Sequence, residues 1–154
     1  MRDKRFIAEH RGGLLKKEQH YQLIRWASNC AEHTMPLFGD KIDERLINAL
    51  NVADEWGKGT KSVGEARKAS LDAHAVARES SNPTASSVAR SVGHAVATAH
   101  MADHSLRAAW YALKSVKSAG GSIGMERKWQ DKNLPSEIKE LVLSAREADK
   151  FKKI

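Results

Sequence analysis

Three histidines, His94, His100 and His104, fall within eleven positions of a chain that holds seven histidines in 154 residues. Imidazole titrates near neutral pH and, when neutral, binds first-row metals. On a continuous helix His100 and His104 would be i,i+4 neighbours, the spacing by which one helix face offers two rings to one ion. His94 would then point roughly 120° away from His100, so the three rings converge only if the helix breaks. Asp103 is next to His104 and three residues after His100, where it could ligate or orient a ring. Cys30 and His33, three apart on another predicted helix, could complete a four-ligand set, and Glu65, Asp72 and His74 offer further polar groups. The alanines around His74, His94 and His100 favour a different chemistry, that of neutral rings hydrogen-bonded across a helix interface. The expectation is therefore a partly buried polar network or binding site of His74, His94, His100, Asp103 and His104. A polar ligand pocket ranks behind it, and a metal on His100, His104 and Asp103 ranks last.

Other reactive arrangements have less support. The residue after His100 is Met101, so the HExxH pattern of a metalloprotease is absent. Cys30 lies on the apolar face of its helix, where a thiol is inert. Gly120-Gly121-Ser122-Ile123-Gly124 lacks the lysine and hydroxyl of a phosphate-binding loop. Glu65 and Arg67 read as cap and solvated surface, and Asp54 and Glu55 point in different directions on a helix. No enzyme and no cofactor are expected.

The elements that must position these residues are helices, because apolar residues recur at three and four and no period-two segment appears. Leu23, Ile24, Ala27, Cys30 and Ala31 form one stripe, and Leu46, Ala49, Leu50, Ala53 and Trp56 form a second that Gly57 and Gly59 stop. Ser62 and Glu65 have capping-box spacing ahead of a helix to about residue 80. Asn82-Pro83 starts the next, with Val88, Val92 and Val96 on its face. Asp103 is a possible cap for a separate segment through Leu113, and a single unbroken helix is the alternative. A weaker segment over residues 125–131 precedes a last helix carrying Ile138, Leu141, Val142, Ala145 and Ala148. The fold expected is all-α, one domain over residues 1–154, a bundle of about six or seven helices. Cys30, Ala31, Ala66, Ala73, Val92, Val96 and Leu113 are the predicted core. Between residues 66 and 112, 14 of 47 residues are alanine, so helix axes there should approach closely. The tryptophans Trp26, Trp56, Trp110 and Trp129 are expected to fill gaps between helices rather than line a ligand site.

Composition bounds the classes. Apolar residues are 41%, charged residues 29%, and no run approaches the roughly 20 apolar residues of a membrane span. Met1 to Arg5 is basic, but no apolar stretch follows, so a secretory signal is not expected. One cysteine fits a reducing compartment, and the localisation expected is cytoplasmic. Of the net charge of +7, most lies at the ends: residues 1–25 hold seven Lys/Arg against three acids and residues 127–154 eight against five. Solvated faces account for this better than nucleic-acid contact, since no aromatic residues alternate with the basic ones.

Several blocks together are similar to one known group. Trp26-Ala27-Ser28-Asn29-Cys30-Ala31-Glu32-His33 with Met35-Pro36-Leu37-Phe38 is one block. Val63-Gly64-Glu65-Ala66-Arg67 and Ala73-His74-Ala75-Val76-Ala77-Arg78 are two more. Gly93-His94-Ala95-Val96-Ala97-Thr98-Ala99-His100-Met101-Ala102-Asp103-His104, continued by Ala108-Ala109-Trp110-Tyr111-Ala112, is the strongest. In order and spacing they resemble the immunity-protein-five-like family of bacteria over about residues 5–118, leaving residues 120–154 as a helical extension. The resemblance implies a protein that binds and neutralises a cognate toxin, and it brings no catalytic residue with it. A helical metal- or small-ligand-binding protein built on the His/Asp cluster is the alternative function. Given the +7 charge, a toxin partner should present an acidic or neutral contact surface, unless a local acidic patch at Asp40, Asp43, Glu44, Asp54 and Glu55 outweighs it.

Overall fold

The computed structural model describes residues 3–154. Among them it holds eight α-helices, three short 3₁₀ turns and no strand, which is the all-α fold read from the sequence. The helices are α1 (Lys17–Thr34), α2 (Glu44–Gly57), α3 (Val63–Glu79), α4 (Pro83–Ala97), α5 (His104–Ser118), α6 (Ile123–Lys132), α7 (Ser136–Ala145) and the short α8 (Asp149–Lys152). None is long and apolar enough to cross a membrane.

Local chemistry sets most boundaries. Ser62 Oγ accepts from Glu65 N–H at 3.1 Å while Glu65 Oε1 accepts from Ser62 N–H at 3.1 Å, closing the expected capping box on α3. Asn82 Oδ1 accepts from Thr84 N–H at 2.9 Å and Ala85 N–H at 3.3 Å at the start of α4. Beyond α2, Gly59 takes the left-handed conformation (φ +81°) that lets the chain turn away. Arg45 then ties the start of α2 to the end of α3, reaching Asp43 at 2.9 Å and Glu79 at 2.8 Å.

One open alternative is decided and one boundary differs from the sequence reading. The helix through residue 94 does break: α4 ends at Ala97 and α5 begins at His104, so His100 lies in the turn between them. Asp103 stands at the N-cap position of α5 but makes no side-chain capping bond there. The last helix stops at Ala145 rather than reaching Ala148, and a separate turn, α8, brings Phe151 back into the core.

The apolar side chains form two clusters that share α1 and α5. Ile24, Ala27 and Ala31 of α1 face the first, with α2, α3 and α4. Leu23, Trp26 and Cys30, on the other side of α1, face the second, with α5, α7 and the N-terminal Phe6 and Leu15. α4 packs against α1, α2, α3 and α5. All seven predicted core residues are buried, Cys30, Ala31, Ala66, Ala73, Val92 and Val96 completely. The C-terminal helices are fastened by polar contacts: Trp26 Nε1 donates to the Gln130 carbonyl at 2.9 Å, and the buried Gln130 donates from Nε2 to the Ala109 carbonyl at 3.1 Å. Arg146 reaches both Gln130 and Asp131.

Val96 is fully enclosed in the first cluster. Val96→Asp leaves a carboxylate there without a cation, at a cost of several kcal/mol, enough to unfold a domain of ordinary stability. Far-ultraviolet circular dichroism should show loss of the cooperative melt at room temperature, and a melt within a few degrees of wild type would contradict this packing.

Candidate functional site

The break after Ala97 gathers the histidines. His74 follows the fully buried Ala73 and sits half-buried at the edge of α3. Its ring lies against the backbone of α4 at Gly93, where an added Cβ would stand 2.7 Å from it. Ser70, one turn earlier on α3, donates to the Gly93 carbonyl at 2.9 Å, so this is where the two helices close. Arg90 Nη1 lies 2.8 Å from His74 Nδ1. A guanidinium can only donate, so Nδ1 accepts and the ring proton is on Nε2.

From His74 the rings continue as a row. His74 and His94 meet edge to face with centroids 5.0 Å apart. His94 and His104 are stacked at 5.0 Å with their Nδ1 atoms 2.9 Å apart, one donating and the other accepting. His100 follows, 5.4 Å from His104. Tyr111 of α5 stacks on His94 at 5.3 Å with the planes 8° apart. Asp103 is close enough to His100 for its charge to favour the protonated ring. The five predicted residues thus come together across α3, α4, the turn and α5. The 120° divergence of His94 and His100 expected for one continuous helix does not apply, because α4 ends at Ala97 and His100 lies in the turn that follows.

Electrostatics keep part of the row uncharged. Burial, then the charge of Arg90, pushes His74 down to about 4. Burial, then His104 and His74, pushes His94 down to about 3. Burial also lowers His100. The geometry agrees with these directions: a proton on His74 Nδ1 would face a guanidinium, and two protons could not share the His94–His104 contact. Arg90, Arg107 and Lys114 give this face permanent positive charge, Lys114 lying 5.3 Å above the Trp110 ring and 5.6 Å above Tyr111.

Among the described residues, no three His, Cys, Asp or Glu side chains are placed to hold one ion. The Nδ1 lone pair of His74 is taken by Arg90, and the His94–His104 contact takes another. Cys30 and His33 do not join the row. Cys30 is enclosed in the second cluster, where burial pushes its thiol up. His33 stacks on Trp129 at 3.6 Å and meets Glu126 at 2.6 Å. Glu65 is engaged in its capping box, and Asp72 is 3.7 Å from Lys68. Gly93 and Tyr111 belong to the strongest family-like block but, like Arg90, carry no site role in the sequence reading. Their signals were a glycine in an alanine-rich helix, an arginine one turn before His94, and a tyrosine two turns after His104.

The acidic patch expected around α2 is largely neutralised by its own cations. Asp43 pairs with Arg45 at 2.9 Å, Asp54 with Lys58 at 3.0 Å and Glu55 with Lys61 at 3.6 Å.

In comparisons with known proteins, the model of a family described as Imm-5 like putative immunity protein matches residues 13–137. The match runs beyond the 5–118 region read from the sequence, and it takes in α6. No curated protein and no solved structure matches the chain.

The neutral rings set a pH dependence. In the unfolded chain these imidazoles titrate near 6.5, whereas His74 and His94 in the fold take protons only near 4 and 3. Between those values the unfolded state binds more protons, so this stabilisation is complete above about 6.5 and is lost as pH falls. The melting temperature should drop steadily from about pH 6.5 to pH 4, and His74→Gln or His94→Gln should flatten that slope. A melting temperature independent of pH over this range would contradict the assignment.

Proposed function

Because the chain belongs to the Imm-5 like family, we propose that it is an immunity protein that binds a toxin and neutralises it by covering a functional surface. The observation that carries this reading is the family match over residues 13–137. Neutralisation of this kind needs contact and no turnover, and its place is the cytoplasm of the cell that makes the protein. A stable complex of ordinary size buries about 800 Å² on each partner, anchored by a few residues, with tyrosine, tryptophan and arginine favoured.

The face built by α3, α4 and α5 supplies such anchors: Tyr111, Arg90 and Arg107 beside His74, His94, His100, Asp103 and His104. The rings are held by one another and by Tyr111, so little side-chain freedom is lost when a partner covers them. The imidazoles of His74 and His94, neutral at ordinary pH, can hydrogen-bond across a contact without bringing a buried charge. The surrounding cations select an acidic or neutral toxin surface, and the pairing of Asp43, Asp54 and Glu55 with their own cations supports the same choice.

The test is co-expression with the toxin encoded beside this chain, followed by association kinetics against salt. The two should co-purify, with an association rate that falls as salt rises. Tyr111→Ala should weaken binding by at least about tenfold. Absence of a complex would overturn the immunity reading for that pair. A complex unaffected by Tyr111→Ala and weakened by charge reversal at Asp40 and Glu44 would move the contact surface to α2.

A further inference from the structure

A cavity of about 440 Å³ opens between the N-terminal arm, α1, the end of α2 and the α4–α5 turn. Its volume falls within the roughly 300–1,000 Å³ of small-molecule sites. Phe6, Leu15, Tyr21 and Trp56 give it apolar and aromatic walls. These walls are fixed by their own contacts. Trp56 meets Tyr21 edge to face at 5.2 Å and lies 4.9 Å from the His20 ring. His20 Nε2 donates to the Thr98 carbonyl at 2.6 Å, which satisfies the end of α4. The tryptophan expected only to fill a gap between helices lines this cavity instead.

Cations outnumber carboxylates around the cavity. Arg11, Lys17 and His10 line it against a single carboxylate, Glu9. The charge of Arg11 reaches inward far enough to disfavour protonation of both His20 and His100. His100, which lines the cavity, has a buried Nδ1 with no hydrogen-bond partner among the described residues.

From these features we propose that the cavity binds a small organic anion, one with an aromatic or branched apolar body and a single anionic head group. The body lies against the Trp56–Tyr21 pair, Phe6 and Leu15, and the head group lies toward Arg11 and Lys17. A cation of the same shape meets the wrong potential, and an inorganic anion lacks the body that the walls would bury. This site is independent of the family assignment, so its failure and that of the immunity reading are separate results.

The test is an NMR titration of the ¹⁵N-labelled full chain with 2-naphthoate, and with 2-naphthylmethylammonium as the cation of matching shape. Naphthoate should give saturable shifts at the Trp56 indole and at backbone amides of residues 6–21 and 99–102. The ammonium compound should bind at least about tenfold more weakly, and so should naphthoate to the double variant Arg11→Glu, Lys17→Glu, whose side chains are exposed and leave the core untouched. Val63, partly exposed at the cavity wall, gives a steric control: Val63→Trp should abolish binding while leaving the melt unchanged. No saturable shift with naphthoate, equal binding of the cation, or shifts away from these residues would each overturn the proposal.

Discussion

α4 is packed by α1, α2, α3 and α5, and its fully buried side chains are nothing larger than valine. Its buried residues are Ala85, Ser87, Val88, Ala89, Ser91, Val92, Gly93, Ala95, Val96 and Ala97. Small side chains let helix axes approach toward the short end of the usual 8–10 Å separation, and a helix enclosed on several sides has to be thin. Its hydroxyl groups need partners once water is excluded. Ser91 donates to the Ala108 carbonyl of α5 at 2.7 Å, and Ser70 of α3 donates to Gly93. A leucine at Ala89 or Ala95 would overpack this arrangement at about 1–3 kcal/mol.

The histidine row is a consequence of that thinness. Gly93 leaves space for the His74 ring to lie against α4, and this places it on His94. His20, from α1, takes the Thr98 carbonyl where α4 ends, and the chain turns back so that His104 meets His94. Close packing thus produces a face of mutually supported rings beside arginines, with His74 and His94 held neutral. A rigid face of that kind suits a protein whose task is to cover another protein, because little has to be ordered on contact.

What was legible in the sequence was what local chemistry decides. The Ser62–Glu65 box and the Asn82-Pro83 start depend on neighbours within three residues, and the core stripes depend only on helical period. The break after Ala97 was left open because no glycine or proline marks it; a tertiary contact from His20 caps that end. The convergence of His94 with His104 was hidden for the same reason. The last helix was drawn too long because Arg146, at its end, is held by Gln130 and Asp131, which no local signal predicts. Charge counts leave open a local acidic patch around α2, and whether Asp43, Asp54 and Glu55 meet Arg45, Lys58 and Lys61 depends on side-chain geometry that counting does not give.

The dependence of the row on a thin α4 is tested most directly at Gly93. Side-chain ¹⁵N NMR titration of the imidazoles in wild type and in Gly93→Ala follows the rings themselves. With the wild-type glycine, His74 should stay neutral until about pH 4. A Cβ 2.7 Å from its ring forces the side chain out from between α4 and Arg90 into water, and its titration should move up toward 6.5. A wild-type His74 that already titrates near 6.5, or one unchanged by Gly93→Ala, would contradict the account.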